Sequence, residues 1–246
     1  QRYETIDALF DNLVSGDLCL IGPGSYNEGG LVIPTGLSNI TIIGAGSRGS
    51  VQIASATVGA EGLQVLANDV TLINVGIEVE DTADYALNIK GNATGKFGKR
   101  FRAYDCKFEG PTGTVVLLNG DANYQCSDAL FEDCEFCWGG SGIVFDDSSY
   151  GYPTQIRIRR CLFHNLTVAG LGEATGGGVA DLWVEDCYFN DNEDGTAPTD
   201  YVKVDRAGDT GMITGCRFSI ATNASADLKS AAGIMWVANA TEAGWT

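Results

Sequence analysis

Apolar and polar positions alternate along this chain in short bursts separated by turn-forming residues. The segments 62–67 (GLQVLA), 86–91 (ALNIKG), 114–120 (TVVLLNG), 142–147 (GIVFDD), 201–206 (YVKVDR) and 233–238 (GIMWVA) have the period of half-buried strands. Gly, Asn, Asp and Ser fill the gaps and supply turns. One further run is due near 169–178 (AGLGEATGGG), but the pattern there is too degenerate to place a strand. A second array interleaves with the first: FRAYDCKF, ALFEDCEF, IRIRRCLF, LWVEDCYF and GMITGCRF. Each ends in Cys-x-Phe, at Cys106/Phe108, Cys134/Phe136, Cys161/Phe163, Cys187/Phe189 and Cys216/Phe218, and successive cysteines are 28, 27, 26 and 29 residues apart. Two upstream segments, 39–46 and 70–77, occupy the same phase with Ala45 and Val75 in the cysteine position. That position therefore wants a small apolar side chain.

Only the start of the chain reads as a helix. Ile6, Leu9, Phe10, Leu13 and Val14 share one helical face, with Thr5 as N-cap and Ser15-Gly16 as the stop. Two or three short strands per 26–31 residues, repeated about seven times, form a solenoid pattern. No helix-length segment separates the strands, which excludes a βαβ fold. A propeller blade is longer, about 40–50 residues. The expected fold is all-β: a right-handed parallel β-helix of about 7–8 coils over residues 18–246, with a capping helix and turn over 1–17. The helix would cover the first open coil. The chain is expected to be incomplete at its C-terminus.

Stacked coils lie about 4.8 Å apart, so the Cys-x-Phe positions should form two interior columns. This decides how the 8 cysteines read. Stacked Cα–Cβ vectors are parallel and do not suit disulfide geometry. Cys134–Cys137 is the one C-x-x-C, and it lacks the partner pair of a zinc motif. The thiols are expected to be buried, unpaired packing groups, with no metal and no cofactor. Such thiols fit folding in a reducing compartment.

Composition then narrows the function classes. The 246 residues carry a net charge of −17, which repels phosphate and argues against nucleic acid. No run of 18 apolar residues exists to cross a membrane as a helix.

The opening YETIDALFDNLVSGDLCLIGPGSY resembles the start of pectin-lyase-like β-helices, through Thr5, Ile6, Gly16, Asp17, Pro23, Gly24 and Tyr26. The later GLQVLANDVTLINVGIEV resembles an ordinary coil of that superfamily. The resemblance implies the fold; that fold hosts lyases, hydrolases, epimerases and inert fibres alike. The Gly-rich turns and YGYPTQIRIRRC are also similar to β-helix structural proteins of tailed phages.

Candidate chemistry is sparse. A glycoside hydrolase needs carboxylates converging on one bond, and the candidates are Asp146 and Asp147, with Glu173 one coil later and Asp121 one coil earlier. The superfamily's hydrolase pattern of Gly-His-Gly and Arg-x-Lys is absent, and the single histidine, His164, begins a loop. Basic clusters occur at 96–102 (KFGKRFR) and at Arg157, Arg159 and Arg160. Residues 190–195 partly resemble a calcium loop, but position 12 is Tyr201. Trp138, Tyr150 and Tyr152 are candidate glycan-stacking aromatics.

The leading expectation is a non-enzymatic structural component of a phage virion: a tail spike, head fibre or decoration protein. By resemblance it would be a homotrimer, assembled in host cytoplasm with other virion proteins and binding host-surface polysaccharide. The alternatives are a polysaccharide lyase or glycoside hydrolase of the same fold, and a passive glycan-binding module. The enzyme alternative would gain if the basic clusters shared a groove with Asp146 and Asp147.

Overall fold

The computed structural model describes residues 2–55, 61–80, 85–90, 98–110, 112–120, 126–147, 152–191, 198–219, 227–241 and 244–245. The chain winds as a right-handed parallel β-solenoid, and each full coil contributes a strand to each of three walls. The first wall has nine strands in parallel register, from Leu18–Ile21 to Ile234–Val237. The second wall holds the short strands that follow, such as Gly24–Asn27 and Lys107–Glu109. The third wall includes Leu31–Ile33, Leu63–Val65, Leu87–Lys90, Thr114–Gly120, Asp200–Val204 and Asp227–Ser230. In two coils the second and third walls run on without a break, as Glu135–Asp147 and Leu162–Glu173. Eight full coils and a partial ninth can be traced, the upper end of the sequence expectation.

Six of the full coils bend between the first and second walls at one left-handed residue. These are Asn74, Asp105, Asp133, Arg160, Asp186 and Gly215, with φ between 49° and 65°. Asn, Asp and Gly reach that conformation most readily, which explains the Asp or Gly before Cys106, Cys134, Cys187 and Cys216; Arg160 before Cys161 is the exception. Just past the bend the thiols line up as expected: Cys106, Cys134, Cys161, Cys187 and Cys216 are buried and unpaired. Each S–H donates to the carbonyl two residues back, at 3.3, 3.4, 3.2, 3.3 and 3.4 Å respectively. A thiol thus fills the space of a Val or Ala and also offers the bend a weak donor.

The phenylalanines form the second column. Ring centroids lie 5.5 Å apart for Phe108/Phe136, 4.7 Å for Phe136/Phe163, 4.6 Å for Phe163/Phe189 and 4.9 Å for Phe189/Phe218. The planes are within 21° of parallel, a stacked arrangement that adds to simple area burial. This column also explains the unreadable stretch at 169–178. A strand does pass there, but a Cβ on Gly170 would lie 2.6 Å from the Phe189 ring, and one on Gly142 would lie 2.8 Å from Phe163. Glycine replaces the alternating side chain because the aromatic column already fills that volume.

The N-terminal helix is shorter than the apolar spacing implies. It spans Ile6–Phe10, with the Thr5 hydroxyl accepting from the Ala8 N–H. Beyond it the backbone tightens, with Asn12 and Leu13 bonding the carbonyls of Leu9 and Phe10. Leu13 stays buried in that turn, whereas Val14 is exposed, its N–H held by the Asp17 carboxylate.

Candidate functional site

On the third wall side chains alternate inward and outward, but Asn88, Leu117 and Val144 in the outward phase are buried as well, while Lys90, Asn119 and Asp146 are partly buried. Val65, Ile89, Leu118 and Phe145 point into the core and are fully buried. The residues between them face outward. Register places Lys90, Asn119 and Asp146 on three successive rungs of one outward column, at about 4.8 Å per step. Two residues earlier along the strands, a parallel column carries Gln64, Asn88, Leu117 and Val144. There the Glu61 carboxylate gathers two amides: Gln64 Nε2 donates to Oε2 at 2.9 Å and Asn88 Nδ2 to Oε1 at 2.6 Å. Asn88 Oδ1 is buried and has no hydrogen-bond partner among the described residues. One outer face thus combines an ammonium, amides, carboxylates and a small apolar step.

Glu173 does not join this face. It pairs in register with the inward Phe145, so it sits in the core phase of the next coil while Asp146 points out. The two carboxyls occupy adjacent coils on opposite sides of one wall and do not converge on a single bond. Glu173 lies instead in the corner beyond the third wall, against Asp209. Asp209 is 97% buried, being 3% exposed, and its two oxygens accept from the N–H groups of Val179 and Arg206, each at 2.9 Å. Glu173 Oε2 accepts from the Asp205 N–H at 3.3 Å, and Oε1 is buried without a partner among the described residues. Burial first, then the neighbouring Asp209 and Asp205 carboxyls, push the Glu173 carboxyl up to about 8. It is a neutral acid at pH 7.

The aromatic candidates separate. Tyr152 belongs to the same corner, with the Arg206 guanidinium 4.4 Å over its ring, and Arg206 Nη1 donates to Gly177 O at 3.1 Å. Trp138 is 43% exposed and precedes the third wall, on the other side from Tyr152. Tyr150, Asp121 and the side chain of Asp147 lie outside the described residues. In the calcium-like loop, residues 192–195 also lie outside them, and Asp191 ties Tyr201 and Ser219 together through its two oxygens.

Among the described residues, Arg100, Arg102, Arg157, Arg159 and Arg160 of the basic clusters lie on or beside the first wall, away from the Asp146 face. Arg157 is exposed on the outside of the first wall, between the buried Ile156 and Ile158. Its neighbours are paired along that wall's edge: Arg159 with Glu185 at 2.9 Å and Arg160 with Asp133 at 2.8 Å. Arg100 pairs with Asp69 at 2.5 Å and Arg102 with Asp128 at 3.0 Å. These four arginines, Arg100, Arg102, Arg159 and Arg160, pair with acidic residues along the first wall.

Lys90, Asn119 and Asn88 belong to no motif in the sequence. Laying ALNIK, VVLLN and GIVFD one above another would have stacked Lys90, Asn119 and Asp146, since all three follow the same four-residue run.

No protein-family model and no curated protein matches this chain. Solved structures do. A rice weevil pectin methylesterase superposes with a TM-score of 0.68 at 12% identity, covering 98% of this chain and 87% of the other. Carrot pectin methylesterase gives 0.68 at 10% identity over 98% and 80% of the two chains, and the Aspergillus niger enzyme gives 0.64 at 18% over 98% and 82%. At such identities the likeness establishes the fold alone, a right-handed parallel β-helix.

These neighbours correct the expectation of a non-enzymatic virion component. These solved chains are all pectin methylesterases, and none of them relates this chain to phages. The physical reason is that the Gly-rich turns and YGYPTQIRIRRC, which carried the phage resemblance, serve coil building: Thr154–Arg159 is an ordinary strand of the first wall. They recur wherever a β-helix is built and carry no information about virions.

Proposed function

We propose that this chain is an ester hydrolase acting on an esterified, largely uncharged polysaccharide, with its reacting groups on the outer face of the third wall. The outward row Lys90–Asn119–Asp146 carries this reading. Hydrolysis of an ester needs a base for water or a nucleophile, a donor for the oxyanion, and a group that tolerates the acid product. Asp146 supplies the carboxylate and Asn119 the amide donor. Lys90 supplies a positive charge near the nascent carboxylate. Water adds to the ester carbonyl, the alcohol leaves with a proton, and the acid stays on the polymer.

Two further observations favour an esterase over the lyase and glycosidase alternatives. The net charge of −17 disfavours an acidic polymer but not one whose uronates are esterified, and it helps expel the acid product. Asp146 and Glu173 on opposite faces do not make the paired carboxylates of a glycosidase. The neighbours' activity as pectin methylesterases is in line with this substrate class.

The test is incubation with methyl-esterified polygalacturonate while three products are followed. Methanol without new reducing ends or unsaturated ends supports the esterase. New reducing ends or unsaturated ends without methanol would replace it with a glycosidase or a lyase, and no product at all would refute it for this polymer class.

A further inference from the structure

The outer face of the second wall carries a group of side chains that neither packing nor the proposed esterase uses. Strands Lys107–Glu109, Glu135–Asp147 and Leu162–Glu173 pair so that Glu109, Cys137 and His164 stack in one column. Glu135 precedes Cys137 by two residues and therefore shares its face. The Glu135 Oε1 atom lies 3.1 Å from His164 Nε2 and 3.6 Å from Cys137 Sγ. All three donor atoms fall within 4.8 Å of one another. Cys137 is fully buried, while the side chains of Glu135 and His164 are 20% and 19% exposed. The thiol thus forms the floor of the group, and the imidazole and carboxylate form its rim.

We propose that Glu135, Cys137 and His164 bind a zinc-like divalent cation. A thiolate, an imidazole and a carboxylate form a mixed donor set that suits a borderline-soft ion. Zinc bonds of about 2.0–2.3 Å in tetrahedral array place neighbouring donors about 3.4–3.6 Å apart. The distances of 3.1 and 3.6 Å lie within a few tenths of an ångström of that, and the third pair, Cys137 Sγ and the His164 ring nitrogen, lies within 4.8 Å and closes by rotation of the two side chains. The Asn165 amide nitrogen lies 3.0 Å from His164 Nδ1, so the metal-binding tautomer requires that amide to turn over. Turned to present its oxygen, that amide would hold the Nδ1–H tautomer and leave Nε2 free for the metal.

The surrounding charge can accommodate the ion. Lys107 Nζ is 3.9 Å from Glu135 Oε1 but has its closer partner in Glu109, at 2.7 Å. It can remain with Glu109 while the cation takes its place near Glu135. Arg48 reaches Glu135 from the far oxygen, Oε2, at 4.0 Å. Three protein ligands leave a fourth position toward solvent for water. Among the described cysteines, Cys137 is the one whose sulfur meets both a carboxylate and an imidazole. The site lies on a different wall from the Lys90–Asn119–Asp146 row and stands or falls independently of the esterase.

The experiment is a titration of the chelator-treated full chain with Co²⁺, followed by absorption and then by Zn²⁺ displacement. The expected result is one Co²⁺ per chain, with a thiolate-to-cobalt charge-transfer band that Zn²⁺ abolishes. Cys137→Ser should lose the band, His164→Asn should lose it too, and Cys161→Ala in the interior ladder should keep it. Far-UV circular dichroism checks the folding of each variant. If Cys137→Ser fails to fold, the half-buried His164→Asn decides. Absence of the band in the unaltered chain, or its survival in a folded Cys137→Ser or His164→Asn, overturns the site.

Discussion

The neutral Glu173 carboxyl makes the stability of this solenoid depend on pH in a predictable direction. In the unfolded chain the group titrates near 4.5; in the folded corner beside Asp209 it titrates at about 8. Between those two values the native state holds a proton that the unfolded state has released. Stability from this group is therefore complete below about pH 4.5, falls as pH rises, and levels off above about pH 8. At about 1.4 kcal/mol per pH unit, linkage sets an upper bound of about 5 kcal/mol. The side chain is only half-buried, so solvent screening reduces this to about 2 kcal/mol. Glu173→Gln keeps the shape and removes the titration. Urea unfolding of both proteins between pH 4.5 and 9 is the assay, read as the difference between the two. The variant should match the unaltered chain near pH 4.5 and exceed it by about 2 kcal/mol at pH 9. The paired carboxylates Asp69 and Asp133 shift downward, so they act below this window and cancel in the comparison. Parallel pH curves for the two proteins would refute the assignment of a neutral, desolvated Glu173.

Further expectations follow from the interior columns. Phe163→Ala removes a ring stacked at 4.7 and 4.6 Å on its two neighbours and should cost about 3–5 kcal/mol by urea unfolding. A loss below about 1 kcal/mol would contradict the stacked core. Burial raises the ladder thiols Cys106, Cys134, Cys161 and Cys187 well above their ordinary range and pushes Cys126 up to about 12. A disulfide reagent at pH 8 should leave them unmodified in the native protein and label all 8 cysteines after denaturation. Asp186 sits at φ 53°, so Asp186→Val should destabilise by about 1–2 kcal/mol and Asp186→Gly by less, measured in the same unfolding series.

Much of the fold was legible because the solenoid repeats its physics. One column of thiols and one of phenylalanines set the coil length, and the substitution of Val75 and Ala45 in the thiol column marked it as packing. The rung at 169–173 was not legible, because glycine there answers to Phe189, a residue of the next coil. The N-terminal helix was overextended because Leu13 is buried by a tight turn as well as it would be by a helix. The site was harder to read. Asp146 and Glu173 look alike in sequence, yet one residue of register sends them to opposite faces of the wall. His164 and Cys137 are 27 residues apart, one coil, and only the stacking of rungs brings them together. Function was least legible, since the residues that resemble a known family are those that build coils.

The most direct test of the proposed activity is methanol release from methyl-esterified polygalacturonate by the unaltered chain beside Asp146→Asn. Asparagine keeps the outward position and size but cannot take a proton from water or attack the ester. The unaltered chain should release methanol, and the variant at least ~100-fold less, with its circular dichroism unchanged. Equal release by the folded Asp146→Asn protein would contradict that expectation.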